Sequence, residues 1–104
     1  MITITIPYPG DPDFDERHGP AQWKLTLSDA PRICAAYGCD LRQLNGVRSL
    51  GAAFVIRRLV ADIMKDPDKA IGVTGYYDLR ATVASLTGLF FTLRERPESI
   101  VQVS

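Results

Sequence analysis

The stretch SLGAAFVIRRLVADIMK, Ser49 to Lys65, decides how the rest of the chain has to be arranged. Leu50, Ala52, Ala53, Phe54, Val55, Ile56, Leu59, Val60, Ala61, Ile63 and Met64 leave only a narrow polar stripe of Arg58, Asp62 and Lys65. A helix with so wide an apolar surface needs cover on most sides. Arg57, Arg58, Asp62 and Lys65 keep the stretch well short of the roughly 20 apolar residues that span a bilayer. Asp66 and Pro67 end the helix, because the residue before a proline is driven out of the helical region.

Working outward, the cover comes from both flanks. On the C-terminal side, Ala70 to Val73 reads as a short strand before Gly75. From Asp78, the residues Leu79, Val83, Leu86, Phe90 and Leu93 recur in steps of four and three, the period of one helical stripe running to about Arg96, where Pro97 stops it. Ile100 to Val103 is β-branched enough to be a closing strand. On the N-terminal side, Ile2, Ile4 and Ile6 alternate with Thr3 and Thr5, and Trp23, Leu25 and Leu27 alternate with Lys24 and Thr26, so two strands each bury one face. Between them Pro7, Pro9, Pro12 and Pro20, with Gly10 and Gly19, can neither propagate a helix nor join a sheet interior, which predicts a long surface loop.

Ser28-Asp29-Ala30-Pro31 is a helix start, with the Ser28 hydroxyl as cap and Pro31 in the first turn, and predicts a helix from about Asp29 to Tyr37. Gly38 suits the left-handed residue that ends such a helix, and Asp40 caps a second short one that Asn45 and Gly46 interrupt. The sum is an α+β fold in one domain, residues 1–104. A small antiparallel sheet of the N-terminal strands, with a C-terminal strand able to join it, packs against three to four helices.

Composition narrows the function classes. The 104 residues are 46% apolar and 23% charged, and twelve Lys plus Arg balance twelve Asp plus Glu. No global field therefore draws the chain to a polyanion or an anionic membrane. The N-terminal residues lack the basic start and apolar block of a secretory signal, which predicts a cytoplasmic protein. Two cysteines, Cys34 and Cys39, are too few for a disulfide framework. Five residues apart, they fall on different faces of a continuous helix, which predicts reduced thiols.

Two segments invite a site. PRICAAYGCDLRQLNGVRSL, from Pro31 to Leu50, places Ile33, Cys34, Tyr37, Gly38, Cys39, Leu44 and Val47 at spacings that resemble the helix-turn-helix of repressor-type regulators. The resemblance implies a recognition helix opening at Asp40, with Arg42, Gln43 and Asn45 reading base edges. Asp40, the lack of flanking basic residues and Gly46 in mid-helix depart from that pattern. The second segment is GDPDFDERHG, Gly10 to Gly19, where Asp11, Asp13 and Asp15 imitate the start of a calcium loop. The sixth and twelfth positions are Glu16 and Gln22 instead of the glycine and bidentate glutamate such a loop needs, so no metal site is assigned. Asp11, Asp13, Asp15 and Glu16 fit better as an acidic patch that meets a basic partner surface.

Catalysis has little footing. His18 is the only histidine, and no nucleophile elbow, phosphate loop or dinucleotide-binding glycine pattern occurs. Cys34 lies in an apolar run, where a thiol is inert. Tyr76, Tyr77, Trp23 and Arg80 lack the strand context of a nucleic-acid stacking platform, and the pairs Arg57 with Arg58 and Arg94 with Arg96 read as solvated charges. No catalytic residue, cofactor or metal is assigned.

The remaining signal is apolar surface beyond what one small core needs, since Leu89 and Phe91 add to the stripe of the second long helix. Such surplus marks association surfaces. The sequence therefore predicts a non-enzymatic protein-protein interaction protein and a homodimer through one of these helices. Its concrete form is a small inhibitor of a host nucleic-acid-handling defence complex, of the anti-CRISPR kind. The alternative is a helix-turn-helix DNA-binding regulator using residues 30–50.

Overall fold

A computed structural model describes residues 1–7 and 22–104; the side chains of Gln22, Thr74, Tyr76 and Tyr77 are outside that description. Asp11, Asp13, Asp15, Glu16 and His18 therefore lie outside the described residues. Strand β1 (Ile2–Pro7) is central in a three-stranded antiparallel sheet of order β2-β1-β3, flanked by β2 (Gln22–Leu27) and β3 (Gln102–Val103). The register pairs Ile2 with Leu27, Ile4 with Leu25 and Ile6 with Trp23 on one edge, and Ile4 with Val103 on the other. Alternation explains the burial of the isoleucines: Ile2, Ile4 and Ile6 point into the core, while on the opposite face Thr3 and Thr26 meet at 3.2 Å and Thr5 is buried as well.

Four helices follow the sheet's first two strands: α1 (Ala30–Ala36), α2 (Ser49–Lys65), α3 (Asp68–Thr74) and α4 (Tyr76–Glu95). The small α+β architecture expected from the sequence is thus present. α2 begins and ends at the residues its pattern specifies. Its buried side chains, Ser49, Ala52, Ala53, Ile56, Leu59 and Ile63, form one stripe, against which α4 packs Leu86, Leu89 and Leu93. With Ile4 and Ile6 of β1, Ile33 and Cys34 of α1, and Val101, they make a single cluster.

Three local expectations are corrected. Ser28 does not cap α1: Asp29 stands at the N-cap without a side-chain bond, and its carbonyl accepts from the N–H groups of Arg32 and Ile33. Pro31 does sit in the first turn. Ala70 to Val73 is part of helix α3, not a strand. The apolar run there is too short to show a period, whereas Pro67 starts a helix whose N–H groups at Ala70 and Ile71 donate to the Pro67 carbonyl at 3.1 Å. Asp68 in the first turn complements the dipole, and Ala70 is fully buried. α3 then passes into α4 through Gly75, whose φ of +97° suits a residue without a Cβ.

The third correction concerns the expected second helix after Gly38. Leu41–Leu44 forms only a 3₁₀ turn, started by the Asp40 carboxylate, which accepts from the Arg42 N–H at 3.0 Å. Beyond it the chain is stitched to the C-terminus: the Gly46 N–H donates to the Val101 carbonyl at 2.8 Å, and the Val101 N–H to the Val47 carbonyl at 2.9 Å. The Ser49 N–H reaches the Ser99 carbonyl at 2.8 Å, and the Ser99 hydroxyl donates to the Pro7 carbonyl at 2.5 Å. One knot of hydrogen bonds, backbone and Ser99 hydroxyl together, thereby ties the starts of α2 and β3 to the end of β1.

Within that knot the Ser49 hydroxyl is fully buried and has no hydrogen-bond partner among the described residues. A buried hydroxyl left unpaired costs about 1–3 kcal/mol of desolvation. Ser49→Ala is accordingly expected to raise the unfolding free energy by about 1 kcal/mol, read as a higher urea midpoint at unchanged slope. A lower midpoint would show that the hydroxyl is bonded in the folded protein.

Candidate interaction surface

The apolar residues of α2 that the core does not take up form a second stripe. Leu50, Phe54, Arg57, Ala61 and Met64 follow one another in steps of four, three, four and three, and all are exposed. That spacing keeps them on one side of the helix, as in the seam of a two-helix contact. α2 and α4 run antiparallel, so the start of α2 meets the end of α4. Leu50, Ala53, Phe54 and Arg57 there form a groove of about 330 Å³ with Phe90 and Arg94. The Arg94 guanidinium lies 5.6 Å from the Phe90 ring centroid, and Phe91 stands edge-on to Phe90 at 5.6 Å between centroids. Arg94, read from the sequence as a solvated charge, thus rests on an aromatic face.

The exposure of this face is large: Leu50 is 49% accessible, Phe54 62%, Met64 68% and Phe91 55%. Isolated apolar side chains on a surface are ordinary. A contiguous row of them with two aromatic rings is not. The expectation that α2 is covered on most sides is therefore corrected: among the described residues one face is covered and its neighbour is open. Val60 and Phe90 are half-buried at the boundary between them.

A second concavity lies on the other flank of α2. Tyr37, Cys39, Asp40, Gln43, Arg58 and Asp62 are among the residues around a cavity of about 480 Å³. The Tyr37 hydroxyl donates to the Asp66 carbonyl, and Lys69 lies 5.9 Å from its ring centroid, so this aromatic pins α1 to the start of α3. Burial raises the Tyr37 hydroxyl pKa, and Asp66 and Asp68 raise it further. Burial pushes the Cys34 thiol up to about 12, and burial followed by the Asp40 charge raises the Cys39 thiol. Neither sulfur has the electropositive surroundings that lower a thiol pKa. Among the described residues, no group of three or more His, Cys, Asp or Glu side chains converges on a metal position.

The residues of the helix-turn-helix alternative are placed as follows. Arg42 and Gln43 are exposed on the 3₁₀ turn, where four residues at about 2 Å rise give roughly 8 Å of helix. Asn45 turns its side chain inward along the surface, its Oδ1 accepting from the Val103 N–H at 3.0 Å, so it holds β3 in place. The three side chains do not share an α-helical face. The sequence did not single out the row that α2 exposes, because burial cannot be divided between two faces of a nearly all-apolar helix before its neighbours are known.

Comparison with protein-family models, with curated proteins and with solved structures yields no match to this chain. What fold and surface define is a class, a small α+β domain that presents an open apolar helix face. No helix among the described residues is long and apolar enough to cross a membrane.

Proposed function

We propose that the chain is a non-enzymatic protein-protein interaction protein that pairs with a second copy of itself through the open face of α2 and α4. The observation that carries this reading is the row Leu50, Phe54, Ala61 and Met64, continued on α4 by Phe90, against whose ring Phe91 stands edge-on. Two arguments favour a second copy as the occupant. The four-three-four-three spacing is that of a helix seam, and a two-fold axis brings the same row from both partners together. The exposed parts of Leu50, Phe54, Met64 and Phe91 offer on the order of 500 Å². With the stems of Arg57 and Arg94 the face supplies more than half of the roughly 800 Å² per partner of a standard stable interface.

Arg57 sits in the middle of the row. In a symmetric pair it faces its own counterpart, a polar seam position that sets register at a cost in affinity. The narrower form of the reading, an inhibitor of a nucleic-acid-handling defence complex of the anti-CRISPR kind, rests on the size of the chain, its lack of catalytic motifs and its acidic run Asp11, Asp13, Asp15 and Glu16. Light scattering tests the pairing directly. The expected mass is twice the 11.5 kDa of one chain, falling toward one chain on dilution. A single-chain mass at near-millimolar concentration refutes it.

A further inference from the structure

The turn after α1 brings together two residues that a continuous helix would separate. α1 ends at Ala36, and Gly38 takes a φ of +75°. The chain reverses there: the Gly38 N–H donates to the Ala35 carbonyl and the Cys39 N–H to the Cys34 carbonyl, both at 3.0 Å. Nested bonds of this kind are the Schellman arrangement, in which the first and last residues of the loop direct side chains to the same side. Those residues are Cys34 and Cys39. Cys34 is fully buried, and Cys39 is half-buried against the same core cluster. The two thiols are close enough for Cys39 to raise the pKa of Cys34, and a disulfide requires their α-carbons within about 4.4–6.8 Å.

We propose that Cys34 and Cys39 are an oxidisable pair that closes to an intramolecular disulfide when the chain meets a small disulfide oxidant such as glutathione disulfide. The proposal does not depend on the pairing of chains argued above. Cys39, the more accessible thiol, gives up its proton and attacks one sulfur of the oxidant, expelling a glutathione thiolate and leaving a mixed disulfide. Cys34 then gives up its proton and attacks the Cys39 sulfur, expelling the second glutathione thiolate. Two protein thiols are oxidised, one glutathione disulfide is reduced to two glutathione molecules, and both protons end on the departing thiolates. The closed bond fixes the turn that forms one wall of the cavity between Tyr37 and Asp62.

Both thiols titrate high, Cys34 through burial and its neighbour Cys39, and Cys39 through burial and Asp40. The reactive thiolate fraction, and with it the rate, therefore climbs about tenfold per pH unit through neutrality. The test incubates the native chain with glutathione disulfide at about pH 7 and about pH 8.5, quenches in acid, alkylates in denaturant and weighs the product. The expected product is a single chain lighter by two hydrogens, with neither cysteine alkylated and a cross-link between the two cysteine peptides, formed faster at the higher pH. Cys39→Ser is expected to abolish it and leave Cys34 alkylatable. Two alkylated cysteines, a stalled glutathione adduct on Cys39, or a disulfide between chains would each overturn the proposal.

Discussion

Leu86→Ala is expected to lower the unfolding free energy by about 2–5 kcal/mol, whereas Phe91→Ala on the same helix, at concentrations that keep the chain monomeric, is expected to change it by less than about 0.5 kcal/mol. The contrast follows from position. Leu86 is fully buried in the stripe that α4 turns to α2, together with Leu89 and Leu93. Its truncation loses transfer energy and leaves a cavity that the close-packed neighbours fill only in part. Phe91, five residues further on, stands on the outer side with more than half its surface open. Chemical denaturation of the two variants measures both effects. Equal losses would mean that Phe91 is packed in solution and that α4 has no open face.

How much of this arrangement can be read without coordinates depends on the kind of signal. The two N-terminal strands and the span of α2 are legible, because β-branched alternation and the Asp66-Pro67 stop are local properties. α4 is legible in its stripe, though it starts at Tyr76, two residues earlier than Asp78, since Gly75 supplies the break. α3 is not, because Ala70 to Val73 is too short for any period and only Pro67 and Asp68 mark it as helical. The turn between Cys34 and Cys39 is half legible. Gly38 announces the reversal, but its consequence, two cysteines on the same side, appears only once the helix is known to stop at Ala36.

The candidate surface shows the same limit more sharply. An apolar count along α2 gives the amount of surface to be covered, not which neighbour covers which side. The choice between Ile56 as core and Phe54 as surface is made by where α4 lies. Likewise Asn45 reads from the sequence as a base-contacting side chain or as the residue that interrupts a short helix, and its bond to the Val103 N–H of β3, a contact between residues far apart in sequence, is not legible there.

Phe54→Asp is expected to weaken the pairing of chains by at least about 100-fold, equivalent to about 2.8 kcal/mol, because it removes an aromatic ring from the seam and forces a carboxylate to be desolvated there, a cost that the neighbouring Arg57 and Arg94 offset only in part. Since Phe54 is mostly open in the single chain, the variant is expected to keep its unfolding midpoint when both proteins are monomeric, which separates lost pairing from lost folding. Arg57 supplies the opposing arm. If two copies meet along this row, the Arg57 side chains face each other, so added salt and Arg57→Leu both strengthen the pair, the first by screening like charges and the second by removing them. A face built for an acidic partner would respond in the opposite sense, weakening with salt and with loss of Arg57. Light scattering and sedimentation across a salt series therefore decide the matter, and an unchanged association constant in Phe54→Asp would place the contact on some other part of the chain.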